Sequence, residues 1–165
     1  MALAYVARFS TSAAKFERYL TRKLREKGWD GEGEPPVAET VSRYVELGYI
    51  DDESYARMKS GSLLRRGYGA RRVNQALGEA GIAEDLRAEV APGEAAAREA
   101  AATYARRRRF GPFGSGPADP STREKQLAAM VRAGHGFDAA RALVDAANVA
   151  EIEQWVDEAR EEEED

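Results

Sequence analysis

Apolar residues return every three or four positions along most of this chain. No stretch of four or more residues alternates with the period of two that a half-buried strand needs. The pattern predicts helices throughout. Leu3, Val6 and Phe9 mark a short first helix that stops at Ser10-Thr11-Ser12, hydroxyls suited to cap the next one. That second helix, over about 12–27, places Phe16, Tyr19, Leu20 and Leu24 on one face and ends at Gly28. Trp29 follows where it can fold back on the last turn. After the loop GEGEPP, Pro35 or Pro36 suits the first turn of a third helix with the stripe Val37, Val41, Tyr44 and Val45, closed by Gly48. Tyr49 beside it reads as core. Asp51 or Asp52 caps a fourth helix bearing Tyr55, Met58 and Leu63. Val73, Ala76, Leu77 and Ala80 define a fifth, and Ile82, Leu86 and Val90 anchor a sixth.

An alanine-rich seventh helix runs from Gly93 to Arg109, and FGPFGSGPADP is the clearest linker in the chain. Ser121 with Glu124 reads as the capping box of an eighth helix that carries Leu127, Met130 and Val131 and stops at Gly134. Phe137, Ala140 and Val144 mark a ninth. Val149, Ile152, Trp155, Val156 and Ala159 then give the C-terminal segment an amphipathic stripe before EEEED, a run too polar to pack.

Three helices stop in the same way, as LREKGW, LGEAGI and MVRAGHGF, and their glycines Gly28, Gly81 and Gly134 stand 53 residues apart. A common C-cap could produce this by accident, but two equal intervals favour a tandem three-helix unit. Such units bury their faces mainly against neighbours. The expectation is an all-α, elongated array of three tandem three-helix repeats, over residues 1–50, 51–92 and 93–148, with an acidic helical tail over 149–165.

The formal net charge of −4 conceals an asymmetry. Residues 151–165 hold nine acids and one arginine, a net of −8, so the preceding 150 residues carry 24 bases against 20 acids, a net of +4. A mildly basic body with an acidic tail is a different object from a uniformly acidic protein. The chain has no cysteine, which removes disulfides and thiolate metal sites and fits a reducing compartment. No apolar run is long enough to span a bilayer, and MALAYVARF lacks the features of a signal peptide. A soluble cytoplasmic protein without a membrane role is expected.

Four basic clusters carry the candidate chemistry. Arg22, Lys23, Arg25 and Lys27 lie on the second helix; Arg65 and Arg66 precede the turn Gly67-Tyr68-Gly69; Arg71 and Arg72 follow it; Arg106 to Arg109 close the seventh helix. Arginine forks match phosphate and carboxylate alike. Phosphate contacts would be salt-sensitive and blind to sequence. For Arg106 to Arg109 the simpler reading is cations at a helix C-terminus. Two arginine pairs bracketing one glycine turn point instead to a contact surface whose backbone can approach a partner. Tyr68 reads equally as a stacking side chain or as a turn aromatic that packs inward. His135, the one histidine, lies between two glycines and reads as a turn residue, while Asp51, Asp52 and Glu53 read as caps rather than metal ligands. There is no phosphate-binding loop, histidine pair or nucleophile elbow, so neither enzyme, cofactor nor metal is expected.

The segments AL-x-YVARF…F-x-x-YLTRKLREKGW, ELGYIDDESYA and LLRRGYGARRVNQALGEAGI, in that order and spacing, resemble the RecX family of bacterial regulators of the RecA recombinase. The resemblance covers residues 2–90 closely and the remainder through its three-helix periodicity. It implies three tandem three-helix repeats in a protein of recombinational repair and the SOS response, and a monomer is expected. Such a protein binds single- and double-stranded DNA without sequence specificity, lodges in the RecA filament and restrains its strand-exchange, ATPase and coprotease activities. Arg65, Arg66, Tyr68, Arg71 and Arg72 are the first candidates for that contact, with Arg22, Lys23 and Lys27 second. The loop GEGEPP and the acidic tail depart from the family pattern. A helix-turn-helix repressor is the alternative, and it would require a dimer matched to operator half-sites.

Overall fold

A computed structural model describes residues 1–165. It contains α1 (Ala2–Arg8), α2 (Ala13–Lys27), α3 (Val37–Glu46), α4 (Asp52–Arg65), α5 (Ala70–Glu79), α6 (Glu84–Glu89), α7 (Glu94–Arg108), a 3-10 turn (Gly111–Phe113), α8 (Pro120–Arg132), α9 (Phe137–Val144) and α10 (Val149–Glu164), and no strand. The all-α reading of the periodicity holds, with three successive groups of three helices followed by a tenth. By internal packing the chain divides into two compact units. One is Met1–Met58 with Leu77–Glu89; the other is Lys59–Ala76 with Val90–Asp165. The division falls inside α4 and α5, so each of these helices contributes to both units.

In the first unit Phe16, Leu20 and Ile50 form a small buried nucleus, with Tyr5, Val6, Tyr19, Val37, Val41 and Tyr44 packed against it. Its walls are aromatic: Tyr5 stacks on Tyr19 at 3.8 Å between ring centroids, and Tyr44 meets Phe16 at 5.3 Å. α1 turns Ala2, Tyr5 and Val6 inward, while Leu3 and Phe9 of the expected stripe are exposed, because a two-turn helix can bury only one narrow face. Tyr49 is also exposed rather than core. It lies beyond the Gly48 turn and tilts against Tyr44 from outside.

The second unit has the larger core. Ala101, Ala105, Leu127, Met130, Ala140, Leu143, Ile152 and Val156 are buried in one cluster. Alanines on α7 let α10 lie close along it. There Arg98 donates to the Trp155 carbonyl (2.6 Å) and sits 4.8 Å from the Trp155 ring. Arg160 pairs with Glu99, and Glu163 Oε1 accepts from Ala95 N (3.0 Å), capping the first turn of α7. The terminal acids are therefore helical and partly engaged, where the sequence suggested a run too polar to pack. The N-cap of α8 is Asp119, whose carboxylate accepts from Thr122 N (2.8 Å), with Pro120 at the first helical position. The cap is thus Asp119, two residues before the Ser121 of the expected Ser121–Glu124 capping box. Met58, Val131 and Phe137, expected on apolar stripes, are exposed.

Four helices close with a glycine at positive φ and the paired backward bonds of a Schellman stop. At Gly48 the bonds are Gly48 N to Val45 O and Tyr49 N to Tyr44 O. At Gly67 they are Gly67 N to Leu64 O and Tyr68 N to Leu63 O. Gly81 and Gly134 repeat the pattern, with Ile82 N returning to Leu77 O and His135 N to Met130 O. These last two stops are the 53-residue pair read from the sequence, and both are built alike.

Candidate functional site

The turn that joins α4 to α5 holds the first-ranked candidates. Gly67, at φ +90, stands against α7 so closely that a Cβ would come within 2.8 Å of Tyr104 N. A Cβ at Gly69 would overlap the Gly134 carbonyl group and lie 2.6 Å from His135 N. The glycines thus serve a close approach, but to the chain's own α7 and to the end of α8 rather than to an outside partner. Gly69 N donates to Ala133 O (2.9 Å) and Arg71 N to Gly134 O (3.1 Å). The free amides of one helix start thereby satisfy the free carbonyls of another helix end. His135 completes the joint. It is buried, its Nε2–H donates to Gly67 O (2.8 Å), and its ring lies 6.0 Å from Tyr104. Burial pushes the imidazole below its ordinary value of 6.5, only partly opposed by the hydrogen bond to Gly67. His135 is a structural latch as well as a turn residue, and its burial could not be read from its flanking glycines.

With the turn pinned from behind, its arginines face out. Arg65, Arg66, Arg71 and Arg72 are exposed, and Tyr68 is half-buried between two of them. The Arg66 guanidinium lies 5.2 Å from the Tyr68 ring centroid and that of Arg72 5.9 Å. Both cations lie within the range of a cation–π contact with the half-buried ring. One further member was not read from the sequence. Arg107 on α7 donates to the carbonyls of Arg66 (3.2 Å) and Arg65 (3.4 Å), the last carbonyls of α4. A cation at this helix end is favoured by the dipole, and it adds a fifth guanidinium to the same patch. Its neighbours differ: Arg106 lies over Phe113 (5.1 Å) and Arg108 over Tyr104 (5.7 Å). No signal in the run RRRR distinguishes its second arginine; only the fold does.

The second-ranked candidates lie on α2, in the first unit. Lys23 pairs with Glu26 (2.7 Å), and Arg22 reaches the same carboxylate at 3.8 Å. The hydrogen bond from Lys23, with the surrounding cations, lowers the Glu26 pKa. Lys27 is exposed at the last turn. Part of this cluster's charge is therefore answered within the helix. No group of three or more His, Asp or Glu side chains is arranged to hold a metal ion. No helix is long and apolar enough to cross a membrane.

Three successive groups of three helices, with glycine stops closing α3, α4, α5 and α8 and an outward arginine patch at the α4–α5 turn, define a helical-repeat protein. Residues 51–90 match the profile of the family described as "RecX, second three-helix domain". This is the segment of α4, α5 and α6 that carries the patch. The chain is 33% identical to the Regulatory protein RecX of Myxococcus xanthus (strain DK1622) over 153 residues, 87% of this chain and 82% of that one. It is 34% identical to the Regulatory protein RecX of Mycobacterium sp. (strain JLS) over 84 residues, covering 50% and 44% respectively. The chain belongs to the RecX family, and a regulatory role comes with that membership.

Proposed function

We propose that this protein is a non-enzymatic cytoplasmic regulator that binds the RecA nucleoprotein filament and DNA and restrains RecA's recombinase, ATPase and coprotease activities. The contact surface is the patch formed by Arg65, Arg66, Tyr68, Arg71 and Arg72, with Arg107 beside it. Arg22, Lys23 and Lys27 on α2 form a secondary surface. The observation that carries this reading is the convergence of five guanidinium groups on a turn whose backbone is locked against α7 and α8. A preorganised fork array loses little entropy on meeting phosphate or carboxylate groups. Such contacts read charge and backbone rather than base sequence, so the binding is unspecific and salt-dependent. Measuring RecA ATPase on single-stranded DNA at substoichiometric amounts of this protein tests the reading. Restraint of turnover supports it; turnover unchanged at excess protein overturns it. A repressor would show operator preference instead, in the same DNA titrations.

A further inference from the structure

The glycine stops at Gly81 and Gly134 are each covered by the first turn of another helix. At Gly81, in the first compact unit, a Cβ would collide with Ala14 Cβ at the start of α2. There the Ser12 hydroxyl donates to Ala80 O (2.5 Å) and Arg18 to Glu79 O (2.8 Å). At Gly134, in the second unit, the cover is the start of α5, where a Cβ would lie 2.5 Å from Arg72 N, and the donors are Gly69 N and Arg71 N. The third member of the series, Gly28, has nothing within 4 Å of its Cβ position. Its stop is also left unfinished: Gly28 N returns to Leu24 O, but ψ 172 carries the chain away, and Trp29 lies over Gly31 rather than back on α2. Trp29 is 44% exposed, against 3% for its equivalents Ile82 and His135, and Leu24 is half-buried where Leu77 and Met130 are fully buried.

We infer that the end of α2 at Leu24, Lys27, Gly28 and Trp29 is a docking surface for the first turn of α8 in a second copy of this chain. The complement is present on the molecule. α8 begins with Pro120, Ser121 and Thr122 after the Asp119 cap, and the amides of Asp119 and Ser121 stand at the cap and second positions that Gly69 N and Arg71 N hold at the filled joint. Asp119, Ser121 and Thr122 are exposed. Arg25 and Lys27 flank exposed Glu26 at the receiving end, and the exposed Asp119 carboxylate stands at the tip of the entering end, with Glu124 and Lys125 a turn behind it. The contact continues a joint that the chain makes twice within itself, and it is heterologous, using two different surfaces. A helix-end contact of this kind falls below about 1,000 Å², the weak and transient class. The monomer expected from the sequence is therefore the dilute state, and association appears as concentration rises.

Sedimentation velocity of the full chain, from micromolar to about millimolar, tests this independently of any filament contact. The weight-average mass should rise with concentration, and Trp29→Glu or Ser121→Arg should each abolish the rise while far-UV circular dichroism stays unchanged. Mixing the two variants should restore dimers and no larger species, since one free surface of each kind remains. A native chain that stays monomeric throughout, a mass rise indifferent to both variants, or a mixture that remains monomeric would each overturn the inference. Loss of filament binding by Trp29→Glu in a chain that never self-associates would assign the surface to a different partner and overturn it equally.

Discussion

Gly69 and Gly136 make a controlled pair for testing how the candidate site is held. Both precede a helix, α5 and α9, both lie in the second compact unit, and neither has positive φ. They differ in surroundings. A Cβ at Gly136 would meet nothing within 4 Å, whereas at Gly69 it would overlap backbone atoms of Gly134 and approach His135 N. Gly136→Ala should therefore cost only the difference between glycine and alanine as a cap, about 0.5–1 kcal/mol. Gly69→Ala must separate α5 from α8. Overpacking against backbone costs about 1–3 kcal/mol, and the two strained hydrogen bonds to Ala133 O and Gly134 O add about 1 kcal/mol each. The sum, roughly 3–5 kcal/mol, is a large part of a typical domain's total of about 5–15 kcal/mol. Urea unfolding followed by far-UV circular dichroism reads both values, with comparable slopes licensing the comparison. Equal losses for the two variants, or a loss under about 1 kcal/mol at Gly69, would refute the claim that this joint is packed backbone to backbone.

Three further outcomes follow from the same geometry. His135 has a folded pKa depressed below 6.5 by burial, so the unfolded chain binds the extra proton first. Stability should be full above pH 6.5 and fall as pH drops below it, levelling beneath the folded pKa, and His135→Gln should flatten that slope in unfolding titrations. Arg107→Ala should weaken DNA binding uniformly across sequences and reduce the salt slope by about one, whereas Arg107→Lys should restore the charge but not the fork to the α4 carbonyls. Ending the chain after Arg160 removes the Glu163 cap from Ala95 and should cost about 1 kcal/mol. Because Ala95 and Arg107 are twelve residues apart on α7, roughly 18 Å, its effect on DNA affinity should appear at about 0.01 M salt and vanish near 0.15 M.

The sequence carried the helical architecture because its signals are local. A stripe such as Phe16, Tyr19 and Leu20 states a helix and its inner face, and the stops at Gly48, Gly67, Gly81 and Gly134 need positive φ at those positions alone. Periodicity was less informative about which apolar residues find a neighbour. Met58, Val131 and Phe137 lie on readable stripes yet remain exposed, since burial depends on a second element that spacing does not specify. The arginine pairs around Tyr68 were legible as an exposed basic cluster, but the work of the flanking glycines was not. Gly67 and Gly69 meet α7 and the end of α8, partners far away in the chain. Arg107 and His135 were missed for the same reason: each acts through a backbone carbonyl, and carbonyls leave no trace in composition.

The outward guanidinium groups at the α4–α5 turn are the proposed regulatory contact. It is tested most directly by titrating RecA filaments on single-stranded DNA with the native chain and with a variant in which Arg65, Arg66, Arg71 and Arg72 are all alanine. These side chains are exposed, and the joint behind them is made by backbone atoms, so the variant should keep its helical content and its urea midpoint. The variant should lose filament binding by at least about tenfold, which is about 1.4 kcal/mol. A folded variant that binds as tightly as the native chain would contradict it.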